Sequence, residues 1–352
     1  MTPQAIRAQQ IRNHFVRQAQ GCDALGSPFT ATLCRAFAAT LDLTTRTGTA
    51  VLSWPTDAAA DALSLRLCGA LHALMLSEAE DALARLYPPH RLEEAEMITR
   101  LPAIVERFDE RLLAGLDHAP QTNEVARSAM LLPGFTAIAR ETGLPIDLHE
   151  IGASAGLNLL FDRFCYRYAD TAWGDDSATV RLAPEVRGLA PPLDGEIRIV
   201  GRQGCDIAPI DIADPAARLR LRSYIWADQA QRLARLDAAL AIADASPPRV
   251  ARQDAALFLE KGVAGARSGS VFALYHSIMW QYLPGATKTA VEKIIEAFGR
   301  TATPQRPVAW LRMEPLTVSD PFATLSMTLW PEGRTRHLAR CDYHGRWIEW
   351  LA

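Results

Sequence analysis

Residues 144 to 158 read Leu-Pro-Ile-Asp-Leu-His-Glu-Ile-Gly-Ala-Ser-Ala-Gly-Leu-Asn. Ile146 to Ile151 makes a short apolar run after a proline and reads as a strand. Gly152 to Gly156 holds only small residues and reads as a tight turn, from which Leu157 to Phe164 opens a helix. A strand that passes through a glycine turn into a helix is the repeating unit of α/β sheets. Glycines at that turn let backbone approach a ligand closely, and free amides at a helix start face polar ligand groups.

Upstream of this stretch the sequence has helical period. Ile6, Ile11, Phe15 and Ala19 lie at helical spacing, and Pro28 opens a second helix with Leu33, Phe37 and Leu41 on one side. Further helices are predicted over 59–76, 78–86, 92–101, 102–116 and 124–141, with a break at Tyr87-Pro88-Pro89-His90. Downstream the pattern changes to alternation. Strands are predicted at 196–203, 248–252, 270–275 and 308–313, with helices at 215–243 and 286–300 between them. Residues 325–330, 337–341 and 346–350 alternate like antiparallel strands around the Pro331-Glu332-Gly333 turn. Residues 166–195 form an irregular insertion with a hairpin. The organisation expected is a helical domain over 1–142 and a three-layer α/β domain over 143–352 with an antiparallel end.

Composition narrows the function classes. Thirty-seven basic residues against 40 acidic ones give a net charge of -3, which excludes a strongly basic nucleic-acid protein. No zinc finger, RNA-recognition motif or basic tract recommends nucleic acid, and a small-molecule substrate is expected. The six cysteines form no C-x-x-C pair, so free thiols in a reducing cytosol and no metal site are expected. Met1 to Gln20 has no apolar signal core, and no stretch reaches the roughly 20 apolar residues of a membrane span. A cytoplasmic protein is the expectation.

The turn at Glu150, Gly152 and Gly156 resembles the first motif of class I S-adenosylmethionine-dependent methyltransferases, an acid followed by three spaced glycines, with Ser154 in place of the middle one. The resemblance covers residues 145 to 352 and implies a Rossmann-like, seven-stranded, methyltransferase-type sheet with S-adenosylmethionine as cofactor. It implies that Glu150, Gly152, Ser154, Gly156 and Asn158 serve the cofactor. Asp206, after the second strand, would hold the ribose, with Asp211 as its rival, and Asp254, after the third strand, would meet the adenine amino group. His276, directly after the fourth strand, would take the acceptor's proton, since imidazole exchanges protons near neutral pH. Tyr282 and Glu314 join it as catalytic candidates, and Trp280 would wall the substrate pocket. Nearly the whole chain is also similar to the bacterial DUF2332 family. That similarity rests on Gly26 to Phe29, Pro120 to Val125, Glu150 to Asn158, Gly204 to Asp211, Tyr224 to Arg232 and His276 to Pro284, and it implies kinship without an activity.

Other residues stand out from their surroundings. Asn123, Glu124 and Arg127 open a helix that precedes the strand of Glu150, within reach of a substrate. Trp226 covers a ligand or docks the helical domain, and Asp228 and Arg232 are spaced to pair on one helix face. Two rival functions remain. Gly152-Ala153-Ser154-Ala155-Gly156 also fits the G-x-S-x-G elbow of serine hydrolases, with Ser154 as nucleophile, Asp320 as orienter and His344 as base. Alternatively, the sheet is a non-catalytic binding or scaffold module.

Overall fold

The computed structural model of the chain describes residues 2–77, 81–90, 92–317 and 319–351. In chain order, helices come first: α1 (Pro3–Ala24), α2 (Pro28–Thr40), α3 (Arg46–Leu52), α4 (Leu63–Ser77), α5 (Asp81–Ala84), α6 (Glu94–Arg107), α7 (Asp109–Gly115) and α8 (Ser128–Thr142). Then come β1 (Ile146–Ile151), β2 (Cys165–Tyr168), β3 (Thr171–Trp173), β4 (Arg181–Leu182), β5 (Glu185–Arg187) and β6 (Ile199–Asp206). Helices α9 (Pro215–Ser223) and α10 (Ala230–Ala245) lead to β7 (Val250–Arg252), α11 (Ala255–Ala264), β8 (Val271–Ser277) and α12 (Gly285–Gly299). The chain ends in β9 (Val308–Glu314), β10 (Ala323–Trp330), β11 (Arg334–Cys341) and β12 (Trp347–Trp350). The start of the helix expected at 78–86 lies outside the described residues.

Two compact units result, one of Met1–Thr122 with Ala213–Ala234, the other of Asn123–Ile212 with Arg235–Ala352. The first is helical. In α2, Ser27 and Pro28 supply the start: the Ser27 hydroxyl accepts from the Thr30 amide, and proline fits the first turn, where no amide hydrogen is needed. The Asp228 carboxylate sits at the same helix start, accepting from Ser27 Oγ at 2.6 Å and from the Phe29 amide at 3.0 Å. Residues 224–229 are therefore no helix, and the single helix expected over 215–243 is two, α9 and α10. The break lets Trp226 and Ala227 pack against the helical core. Tyr224 lies against Gly69 of α4, where a side chain would collide with its ring, and His72 Nδ1 meets the Ser223 carbonyl at 3.0 Å.

The second unit is built on a nine-stranded sheet in the order β5-β12-β11-β10-β9-β8-β1-β6-β7. Strands β7, β6, β1, β8 and β9 are parallel, while β10, β11 and β12 run antiparallel in turn. The expected seven-stranded sheet is thus exceeded. The segments after β9 fold straight back as hairpins, and β5, from the 166–195 insertion, adds a parallel edge strand beside β12. The rest of that insertion forms a small sheet, β3-β2-β4. Its Tyr166 hydroxyl donates to the Phe161 carbonyl at 2.7 Å, and its Tyr168 hydroxyl to the Ala129 carbonyl.

Alternation along β1 and β8 decides what lies on each face of the sheet. Tyr275 meets Phe135 of α8 edge-on at 5.1 Å, and Phe135 stacks on Phe161 at 4.4 Å. On the other face Ile151, Phe272, Leu274 and Trp310 form a core with Phe258 of α11 and Val291, Ile295 and Phe298 of α12. All six cysteines are free and buried. No helix among the described residues is long and apolar enough to cross a membrane. Truncating Phe135 to alanine would empty the α8 layer where it meets the sheet. The expected cost is about 3–5 kcal/mol of unfolding free energy, measurable by urea denaturation.

Candidate functional site

The parallel strands leave β1 in opposite directions, to β6 and β7 on one side and to β8 and β9 on the other. Such a reversal opens a crevice beyond the carboxyl ends of the strands. There the chain leaves β1 through Gly152, Ser154 and Gly156, with φ of +68°, +55° and +75°. For Ser154 the left-handed backbone costs on the order of 1–2 kcal/mol. The glycines are also dictated by space. A Cβ on Gly152 would come 2.7 Å from Met279 Cγ, and one on Gly156 would come 2.7 Å from Val250 Cγ2.

Asp206 closes β6 and ties this turn in place. Its Oδ2 accepts from the Ser154 amide at 2.9 Å and its Oδ1 from the Ala208 amide at 2.9 Å. Asp211 lies exposed in the loop beyond. Asp254 serves as the N-cap of α11, accepting from the Ala256 amide at 2.9 Å, and its Oδ2 takes the Thr287 hydroxyl of α12 at 3.1 Å.

The segment before α8 is stapled to the turn. Asn123 Oδ1 accepts from the Leu157 amide at 2.9 Å, and Asn158 Nδ2 donates to the Glu124 carbonyl at 3.3 Å. The Glu124 carboxylate accepts from the Ala126 amide and lies 4.0 Å from His344 Nδ1. Arg127 donates to the carbonyls of Tyr343 and of Ser277 at the end of β8. Asn123, Glu124 and Arg127 therefore converge with the glycine turn and the end of β8. The buried Ser154 Oγ and Asn158 Oδ1 have no hydrogen-bond partner among the described residues.

Two carboxylates flank the strand pair, one on each face. Glu150 is buried on the α8 face and accepts from the Tyr275 hydroxyl at 3.0 Å. Burial, reinforced by the negative charge of Asp206, pushes its pKa up to about 8, although Tyr275 and Arg127 pull the other way. On the α12 face, Glu314 Oε1 lies 2.8 Å from His276 Nδ1 and also accepts from the amides of Met279 and Trp280, at 3.0 and 3.3 Å. With the carboxylate as acceptor, Nδ1 carries a ring hydrogen and Nε2 is the nitrogen left for another partner. His276 is 1 % exposed, and Trp280 stacks on it at 5.0 Å. Neither His276 Nε2 nor Glu314 Oε2 has a protein partner among the described residues. Tyr282, by contrast, is 77 % exposed on the turn that follows.

Several participants escaped the reading of the sequence. Tyr275 holds Glu150 because the two are register partners across β1 and β8, and no short motif announces a register. Ile278, with φ of +51°, turns the chain so that the Met279 and Trp280 amides reach Glu314. The hydrolase trio is not joined by hydrogen bonds. The Asp320 carboxylate takes the Leu316 and Thr317 amides and the Thr317 hydroxyl, and His344 has Glu124 as its acidic neighbour.

A family model described as "Uncharacterized protein conserved in bacteria (DUF2332)" matches residues 12–350. No curated protein and no solved structure matches the chain.

Glu150 gives the site a signature in stability. Its folded pKa of about 8 exceeds the ordinary 4.5, so between those values the native state keeps a proton that the unfolded chain has lost. Its contribution therefore falls as pH rises through that window, by at most ~1.4 kcal/mol per pH unit, and is level above it. Glu150→Gln removes this slope while keeping an oxygen for Tyr275. The variant's unfolding free energy, relative to the parent's, is expected to climb from about pH 5 to about pH 8. Urea melts across that range measure it, and a pH-independent difference would mean that Glu150 is ionised in the fold.

Proposed function

We propose, for a chain that belongs to the bacterial DUF2332 family, that the strand-end cluster of the second unit binds S-adenosylmethionine and serves methyl transfer to a small molecule. The observation that carries this reading is the reversal of strand order at β1 coincident with its left-handed glycine turn. That combination is the place where α/β sheets of this kind hold nucleotide-type ligands. The residues present fit such a ligand. Gly152 and Gly156 expose backbone, and Ser154 Oγ and Asn158 Oδ1 are buried polar atoms without protein partners among the described residues. Asp206 spends one lone pair of each carboxylate oxygen on a backbone amide, and the remaining pairs suit ribose hydroxyls. Asp254, already a cap, offers its carboxylate at the end of β7 to an adenine amino group.

When bound, S-adenosylmethionine supplies a methyl group on a positively charged sulfur. The chain's own residues orient the acceptor, exclude water and receive its proton. His276 Nε2 is the atom for that proton, with Glu314 holding the ring hydrogen on Nδ1 and stabilising the imidazolium. Because Trp280 covers His276, its indole must swing aside on the short turn of Trp280–Tyr282 for an acceptor to arrive. In this reading Tyr282, exposed at that turn, meets the acceptor together with Asn123, Glu124 and Arg127.

One observation favours the serine-hydrolase reading: Ser154 has the left-handed backbone and unpartnered hydroxyl of a nucleophile elbow. The two functions separate experimentally. Calorimetric titration with S-adenosylhomocysteine is expected to show saturable binding, roughly 10- to 100-fold weaker in Asp206→Ala because charged hydrogen bonds to the ribose are lost. His276→Ala is expected to leave that affinity nearly unchanged and, with an acceptor in hand, to slow turnover by about 100-fold or more. Covalent capture of Ser154 by a serine-directed phosphonate would establish the hydrolase instead. If neither S-adenosyl compound binds at millimolar concentration and no probe reacts, the sheet is a scaffold.

A further inference from the structure

The sheet face covered by α12 holds a second concavity. A cavity of about 270 Å³ is bounded by Glu296 and Arg300 of α12, Trp310 and Arg312 of β9, Thr328 and Trp330 of β10, and Gly333 and Thr335. Trp310 borders both places, its ring lying 6.1 Å from that of His276 and 5.8 Å from that of Trp280, while the other lining residues are not among those of the strand-end crevice. The alternation of β9 dictates its floor: Trp310 and Arg312 point to the same face, and Thr328 of β10 is the register partner of both Trp310 and Thr335.

The donors in this cavity exceed its acceptors. Arg312 donates one Nη2 hydrogen bond to Thr328 Oγ1 at 2.7 Å, and its guanidinium lies over the Trp310 ring at 4.1 Å. It has no carboxylate in an ion pair among the described residues. Burial lowers its pKa to about 10, with Glu292 acting in the other direction, so it is a cation at neutral pH. A planar guanidinium has five N–H donors, so most of this one's capacity is unspent. Trp310 is 6 % exposed, and its Nε1 hydrogen has no acceptor among the described residues. Arg300 brings a second guanidinium, and Glu296 is the carboxylate in the lining among the described residues.

We propose that this cavity binds a small monocarboxylate with an apolar body. Two guanidiniums stand against Glu296 in the lining, and Glu292, which also acts on Arg312, offsets part of the remaining positive charge, so a ligand of low negative charge fits. The fork of Arg312 matches the two oxygens of a carboxylate. The indoles of Trp310 and Trp330 receive the apolar part. A phosphate dianion would bring a second negative charge against Glu296.

The test uses the intact folded chain with benzoate and inorganic phosphate as probes at constant ionic strength. Proton–nitrogen spectra follow the indole resonance of Trp310, identified by its loss in Trp310→Phe. Benzoate is expected to shift it saturably, with affinity falling about tenfold in Arg312→Gln and several-fold in Arg300→Gln. Glu296→Gln is expected to tighten binding. Arg300 is exposed, so Arg300→Gln keeps the test decisive if Arg312→Gln fails to fold. Absence of a saturable benzoate shift, or unchanged affinity in Arg300→Gln, would overturn the proposal. Phosphate binding as tight as benzoate would overturn its carboxylate assignment.

Discussion

The turn that leaves β1 has no room for a Cβ at Gly152 or Gly156, and much of the second unit is arranged around that constraint. Met279 presses on Gly152, Val250 and Pro248 on Gly156, and Ala153 on Gly204 of the neighbouring strand. Each contact brings a different part of the sheet against one turn: the loop after β8 through Met279, the start of β7 through Val250, and β6 through Gly204. Close packing makes the arrangement unforgiving, because an added methyl group there must displace backbone or a neighbouring side chain. The left-handed residues of the turn are held from all sides, which is how a strained Ser154 persists.

Polar groups at the strand ends follow from the same geometry. Tyr275 and His276 are consecutive in β8 and point to opposite faces, and each meets a carboxylate there. Glu150, in an aromatic environment with a negative neighbour, is stabilised as the neutral acid. Glu314 gathers three donors on one oxygen and so fixes both a histidine ring and the loop that leaves β8. Buried polar groups of this kind are tolerable only when paired, which ties the loop's path to these two side chains.

The far half of the sheet obeys another rule. Every residue of β10 is buried, so this antiparallel strand is an interior member of the sheet. Its neighbours β11, β12 and β5 carry the sheet onward to its edge. The cost of that design is a face where Arg312 and Trp310 are drawn inward with few protein acceptors, which is the chemistry of the second cavity.

Much of this was legible in the sequence. The strand, glycine turn and helical segment at 146–163 announced an α/β sheet, because period and punctuation are local properties. The helical beginning and the hairpins after Val308 were legible for the same reason. Glu150, Ser154, Asp206, His276 and Glu314 could be singled out because they follow or end predicted strands. Pairing lay beyond that reach. Nine strands instead of seven, the union of Ser27 with Asp228 across 201 positions, and the partnership of Glu150 with Tyr275 all depend on register and packing between distant segments. The split of the expected 215–243 helix has the same origin, since Trp226 and Asp228 lower the free energy by leaving the helix for partners elsewhere in the helical unit. Local sequence determined which elements form and where chemistry is concentrated. Tertiary structure alone decided which groups meet, because hydrogen bonds and burial act through space and carry no local signature in the chain.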